Sequence, residues 1–295
     1  MPRFPYETVD VFTDRPFGGN PLAVFTDAQG LSDAQMQALA AEMNYSETTF
    51  VLPADDPAQD ARVRIFHRTA EMPFAGHPNV GTAFVLARHG RDRDGVLRFE
   101  QKAGLVEIAV ERDAAGAVTG AVIAAPQALS LGLELPIDGI AACAGLSVAD
   151  IVTAAHKPVQ ASVGVTFVLT QVGPEALARA MPDLAAFRKL VRLHGELAGR
   201  LSLFLYARDG NMIRARMFAP LAGTWEDPAT GSASATLGAL LLSLDGGDTA
   251  AFTMTQGVEM GRPSLLRVTS WRAEDGCHSR VGGSCIPVFR GEALL

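Results

Sequence analysis

Apolar residues recur along this chain with two different periods. Runs of β-branched and aromatic residues, Thr49-Phe50-Val51-Leu52 and Thr166-Phe167-Val168-Leu169, read as strands. Across residues 174–201 the positions Ala176, Leu177, Met181, Leu184, Phe187, Leu190 and Leu193 follow a helical spacing instead. Two further stretches, Thr82-Ala83-Phe84-Val85-Leu86-Ala87 and Ser232-Ala233-Ser234-Ala235-Thr236-Leu237-Gly238-Ala239-Leu240, are apolar or small on nearly every side. A helix that is hydrophobic all round is a buried one, so each is expected inside a core. Ser32 and Ser147 stand where helix N-caps would, with Gln35 and Asp150 placed to complete a capping box.

The pattern repeats. Gly30-Leu31-Ser32-Asp33-Ala34 returns as Gly145-Leu146-Ser147-Val148-Ala149, and the strand beginning at Thr49 returns as the one beginning at Thr166. Arg64-Ile65-Phe66 returns as Arg216-Met217-Phe218, and Pro78-Asn79-Val80-Gly81-Thr82-Ala83 as Pro228-Ala229-Thr230-Gly231-Ser232-Ala233. Matches this short arise by chance singly, but four in one order predict two α/β halves of similar build. The expected boundaries are residues 1–127 and 128–295, with the Ala, Leu, Gly and Pro of 126–136 as a linker and 174–201 as an insertion in the second half. Duplicated halves commonly hold ligands in the crevice between them, and the active site is expected there.

Composition narrows the function. A chain of 295 residues suits two domains, and 48% hydrophobic against 19% charged residues excludes a disordered chain. The net charge of −7 is scattered along the chain, which argues against a nucleic-acid partner. No apolar run nears the ~18–20 residues that span a bilayer, and the first residues lack the basic-then-apolar pattern of a signal peptide. Cys143, Cys277 and Cys285 make no disulfide framework and show no metal-ligand spacing, and Cys285 reads as a core residue. His67, His89, His156, His194 and His278 show no metal spacing either and read as surface or structural. A cytoplasmic protein with no membrane partner, no metal and no organic cofactor is expected.

The chemistry gathers at the two buried helix starts. Proline suits a first turn, because its missing N–H would be unpaired there. Helix starts carry free N–H groups and the positive end of the dipole, so two of them form a cradle for a carboxylate. Gly81 and Gly231 allow close approach, and Thr82 and Ser232 add hydroxyls. His77 and Asp227 precede the two prolines in equivalent places, and both can exchange protons. Each has a plainer reading, a structural histidine and an N-cap, but their equivalence favours function. The third candidate is Glu47, a carboxylate beside an apolar strand, where it is disfavoured unless paired or employed. Its repeat counterpart is read as Gly164, which suggests one principal base whose pKa burial raises towards neutrality. Its plainer reading is an exposed strand end. The turn-rich run from Gln256 to Ser264 has several polar groups and could be a site loop. No Gly-x-x-x-x-Gly-Lys-Ser/Thr, Gly-x-Ser-x-Gly or His-Glu-x-x-His motif is present.

Val9-Asp10-Val11-Phe12-Thr13, Phe17-Gly18-Gly19-Asn20-Pro21-Leu22-Ala23-Val24, Glu47-Thr48-Thr49-Phe50, Pro73-Phe74-Ala75-Gly76-His77-Pro78, Glu226-Asp227-Pro228-Ala229-Thr230-Gly231-Ser232-Ala233 and Gln256-Gly257 with Met260-Gly261-Arg262-Pro263-Ser264 follow one another. In that order they resemble the phenazine-biosynthesis PhzF-like family, relatives of diaminopimelate epimerase. The resemblance spans nearly the whole chain. It implies an α/β (α+β) fold of two pseudo-symmetric halves, each a curved, mostly antiparallel sheet or barrel around a central helix. The last strand, near residues 281–290, would pack on the first half, and a homodimer would be usual. By the same resemblance Glu47 is the catalytic acid/base and His77 and Asp227 assist it. Ser232, with Thr230, Gly231 and nearby amides, holds a substrate carboxylate, and Asn20 and Gly76 line the site. In the epimerase relatives two cysteines at the paired helix starts act as base and acid; none of the three cysteines here lies nearby, so a two-thiol racemase is not expected. The implied reaction resembles that of trans-2,3-dihydro-3-hydroxyanthranilate isomerase, a proton shift on a small carboxylate. An epimerase or racemase-like proton abstraction at the same site, or a non-catalytic carboxylate-binding protein, are the rival readings.

Overall fold

The computed structural model describes residues Met1–Leu295, which divide into two units: Met1–Ala124 with Gly282–Leu295, and Ala125–Val281. In the first unit the strands are β1 (Arg3–Val11), β2 (Asn20–Phe25), β3 (Glu47–Leu52), β4 (Ala61–His67), the short β5 (Glu71–Met72), β6 (Val96–Gln101), β7 (Gly104–Arg112) and β8 (Val118–Ala124). Helix α1 (Asp33–Met43) connects β2 to β3, and α2 (Gly76–Arg88) lies between β5 and β6. Strands β1, β2, β3, β4, β6, β7 and β8 pair each to the next, and the last strand pairs with β8 and, through residues 285–294, with β1. The sheet therefore closes into a barrel. Helix α2 is buried along Gly76–Ala87 and touches β1, β2, β3, β7 and β8, as an all-round apolar helix must. Outside the barrel α1 covers a second cluster in which Phe25 stacks on Phe50 at 4.9 Å and Phe50 meets Phe66 edge-on at 5.4 Å.

The second unit contains β9 (Ser130–Glu134), α3 (Ile137–Cys143), β10 (Val159–Ser162), β11 (Thr166–Gln171), α4 (Pro174–Arg179), α5 (Leu184–Leu193), β12 (Leu203–Asp209), β13 (Met212–Ala219), β14 (Thr224–Asp227), α6 (Gly231–Asp245), β15 (Thr249–Gln256), β16 (Ser264–Ala273) and the start of β17 (Gly276–Leu294). Its sheet runs β9, β10, β11, β12, β13, β15, β16. Leu129 N donates to Cys277 O at 2.7 Å, bringing β17 back to the segment before β9. Helix α6 is buried along most of its length, and α3, α4 and α5 pack outside on β11 and β12 around Leu177, Phe187, Leu190 and Leu205. The predicted helix of 174–201 is in fact two, because Pro182 interrupts it and Asp183 caps the second by accepting from Ala185 N and Ala186 N. Residues 126–136, read as a linker, hold β9.

Both sheets follow one plan. The steps β1–β2, β2–β3, β3–β4, β4–β6 and β6–β7 are antiparallel, parallel, antiparallel, parallel and antiparallel, and so are β10–β11, β11–β12, β12–β13, β13–β15 and β15–β16. This alignment keeps the third and fourth sequence repeats, which fall on β4 with β13 and on α2 with α6. It corrects the first two. The strand beginning at Thr49 is β3, whose counterpart is β12, whereas Thr166 opens β11, the counterpart of β2. Ser32 caps α1 with a complete capping box, but Ser147 caps only a short 3-10 turn, Val148–Asp150, ahead of β10. The counterpart of Glu47 is therefore not Gly164. With Phe66 opposite Thr48 and Phe218 opposite Leu203, it is Ser202. The second half still has no carboxylate at that place.

Candidate active site

In the first unit the site begins where α1 ends. Asn44 adopts a left-handed backbone, φ 54°, which stops the helix and returns the chain through Tyr45 and Ser46 into β3. Glu47 is the first residue of β3, with Leu22 of β2 and His67 of β4 as its register neighbours. Asn20 opens β2, is buried, and accepts from Ser46 Oγ at 3.0 Å. On α2, Gly76 and His77 lie in the first turn. The backbone there is fixed by Asn79, whose side-chain nitrogen donates to Ala75 O at 3.0 Å and whose oxygen meets Gln101. No side chain caps the start of α2.

His77 Nδ1 lies 3.3 Å from Glu47 Oε2, with the two side chains 6% and 15% exposed. Burial pushes the His77 pKa down to about 3, and the Pro21 carbonyl offsets part of that shift. The ring is therefore neutral at ordinary pH, so its approach to Glu47 is that of an uncharged imidazole and not an ion pair. Thr82, expected to offer a hydroxyl to a ligand, is wholly buried and shares a 2.8 Å hydrogen bond with Thr49.

The second unit holds the other cluster. Asp227 ends β14, is buried, and accepts from Thr230 Oγ1 at 2.5 Å. Gln256 fixes both: its side-chain nitrogen donates to Asp227 O at 2.7 Å and to Thr230 Oγ1 at 3.0 Å, while its oxygen accepts from Thr230 N at 3.0 Å. Ser264 Oγ donates to Pro228 O at 2.8 Å. Gly257 has φ +73°, and a Cβ there would stand 2.6 Å from Pro228 O, so only glycine lets β15 end against this turn. Thr230 is the N-cap residue of α6, but its hydroxyl goes to Asp227 and leaves the helix start without a side-chain cap. Gly231 and the half-buried Ser232 occupy the first turn, where backbone N–H groups and the helix dipole favour an anion.

The two helix starts differ from the sequence reading in one respect. Pro78 lies within the first turn of α2, whereas Pro228 precedes α6, which starts at Gly231. His77 is thus a helical residue and Asp227 a strand residue, although the repeat makes them equivalent. Gln256 was legible only as part of a polar run; its role as the brace of Asp227 and Thr230 requires β15 to be placed beside the turn.

A family model described as phenazine biosynthesis-like protein (PhzC-PhzF) matches residues 9–291. An uncharacterized isomerase of Mesorhizobium japonicum is 36% identical over 301 residues, covering 98% of each chain. A trans-2,3-dihydro-3-hydroxyanthranilate isomerase of Pseudomonas aeruginosa is 37% identical over 300 residues, covering 98% of this chain and 99% of its own. The crystal structure of a Bacillus anthracis phenazine biosynthesis protein of the PhzF family matches with a TM-score of 0.89 at 26% identity, over 100% of both chains. The two sheet-and-helix halves, the uncapped helix starts and these likenesses agree: the chain belongs to the phenazine biosynthesis-like PhzC-PhzF family and is an isomerase.

Proposed function

We propose that this isomerase shifts a proton between two carbons of a small cyclic carboxylate, trans-2,3-dihydro-3-hydroxyanthranilate or a close analogue, with Glu47 as both base and acid. The observation that carries the reading is the contact of Glu47 with a histidine held neutral by burial. The Glu47 carboxylate takes a proton from a ring carbon, the freed electron pair moves through the diene, and the same carboxyl, its proton exchanging with solvent, returns a proton to another ring carbon. Nothing is oxidised or reduced, and the enzyme ends as it began. His77, as a neutral imidazole beside Glu47, adds no charge that would trap the carboxylate ionised. Asp227 and Thr230 assist, and the Gly231–Ser232 start of α6 takes the substrate's carboxylate.

Solvent deuterium wash-in, followed by mass spectrometry over a panel containing dihydro-hydroxyanthranilate and common amino acids, tests this. General acid–base groups commonly contribute about 10²–10⁴-fold, so Glu47→Gln is expected to lower carbon-bound deuterium by at least that range while ligand affinity stays within a few-fold. Undiminished exchange in Glu47→Gln would remove Glu47 from the role. Exchange at the α-carbon of an amino acid, with none on the ring substrate, would favour the epimerase reading.

A further inference from the structure

One side-chain arrangement occurs twice and is not absorbed by the proton shift. In the first unit Arg64 of β4 grips Glu71 of β5 with two parallel bonds, Nε to Oε1 at 2.8 Å and Nη2 to Oε2 at 3.0 Å. In the second unit Arg216 of β13 grips Glu226 of β14 in the same way, Nε to Oε1 and Nη2 to Oε2, both at 2.8 Å. Each guanidinium lies over the phenylalanine two residues on, Arg64 at 5.1 Å from the Phe66 ring and Arg216 at 4.9 Å from Phe218. β4 and β13 are counterpart strands, and in both units the gripped glutamate sits on the short strand leading to the buried helix. The bidentate fork fixes direction as well as distance, which a lysine could not do.

The surroundings indicate what each clamp holds. Beyond Glu71 the backbone pairs Met72 with Ile65, Ala103 N donates to Pro73 O at 3.2 Å, and the next residues enter the turn of α2 that carries His77. Lys102 adds a second cation to Glu71 at 2.7 Å, and Asp33 a second anion to Arg64 at 2.6 Å. In the second unit Glu226 is the residue before Asp227. There Arg216 Nη1 also donates to the carbonyls of Leu177 and Ala180, at 3.0 and 2.7 Å, anchoring itself to the end of α4. The charges are buried, with Arg216 4% and Glu226 11% exposed. A buried ion pair is weak support for stability against an apolar alternative, and fixing a geometry is a better-attested use.

We propose that Arg64–Glu71 and Arg216–Glu226 are paired positioning clamps that hold the backbone of His77 and of Asp227 for catalysis without touching the substrate. This inference rests on the proton-shift reading for its kinetic consequence but not for its structural one. The test uses the full chain with Glu226→Gln and Glu71→Gln, and Arg208→Lys as a control, since Arg208 makes a similar forked pair with Asp245 away from both segments.

Hydrogen exchange by mass spectrometry is expected to quicken at least tenfold in residues 227–232 for Glu226→Gln and in 74–79 for Glu71→Gln. The remaining elements and the control should match wild type. In wash-in assays the turnover number per folded molecule should fall at least tenfold, with KM within threefold. Unchanged exchange in those segments, quickening spread evenly over the chain, or local loosening with full turnover would each overturn the proposal. If Glu226→Gln does not fold, Glu71→Gln decides. If wild type exchanges deuterium on no compound of the panel, the proton-shift reading has failed, while the exchange measurement still decides whether the clamps hold the two segments.

Discussion

His77 links the site to the stability of the protein. Its pKa is about 3 in the folded chain because burial penalises the imidazolium, against an ordinary 6.5 when unfolded. Above pH 6.5 both states hold the ring neutral and the difference contributes nothing. As pH falls below 6.5 the unfolded chain takes up a proton that the folded chain refuses, so stability declines down to about pH 3 and then levels off. With about 1.4 kcal/mol per pKa unit, the full decline is roughly 4–5 kcal/mol. His77→Gln removes this group, so wild type minus variant unfolding free energy, from urea titrations between pH 7 and pH 3.5, should fall steadily with acid. A flat difference would mean that the folded ring titrates as it does in the unfolded chain, and a difference that grew with acid would mean that its contact with Glu47 is an ion pair after all.

At the scale of elements the central helices fit so closely that a single methyl group matters. A Cβ at Gly81 would stand 2.6 Å from Leu22 Cδ2 and 2.7 Å from Val11 Cγ2, and one at Gly238 would stand 2.5 Å from Val268 Cγ1. Two effects compete in Gly81→Ala and Gly238→Ala. Alanine gains about 1 kcal/mol of helix propensity over glycine, whereas overpacking a filled core costs about 1–3 kcal/mol. Both valines are branched at Cβ and stiff at χ1, so they cannot swing aside cheaply. The crowding should win, with a net loss of up to about 2 kcal/mol in denaturant unfolding. A gain in either variant would show that the barrel around that helix has room.

These helices were also the most legible part of the sequence, because a stretch apolar on every side has one physical solution. The motif residues Glu47, His77, Asp227 and Ser232 could be picked out for the same kind of reason, as polar groups set against apolar runs. The strand repeat misled, since Thr49-Phe50-Val51-Leu52 and Thr166-Phe167-Val168-Leu169 share only what any buried strand shares. Pairing direction distinguishes β2 from β3, and short apolar runs do not encode it. The brace of Gln256 on Asp227 and the grip of Arg216 on Glu226 depend on which strand lies beside which.

At the scale of the whole molecule the least local feature is the closure of the first barrel by the end of the chain. Residues 285–294 pair with β1 along its length, from Arg3 opposite Leu294 to Val11 opposite Cys285, and the same strand also pairs with β8. The seam is tight: a Cβ at Gly120 would stand 2.1 Å from Gly283 O, so both strands meet at glycine. Without that strand β1 and β8 become open edges, and such edges invite association with other chains. A chain ending at Val281 keeps every residue of 1–124 and all of Ala125–Val281. It should nevertheless lose hydrogen-exchange protection throughout 1–124 and aggregate, with residues 125–281 remaining protected. Retained protection across β1 and β8 would show that the barrel is stable open and that the last strand only covers it. The same closure separates β1 from its partner by nearly the full chain length, and contacts of that span form slowly. The first unit should therefore regain protection after the second in refolding, although its strands come first in the sequence.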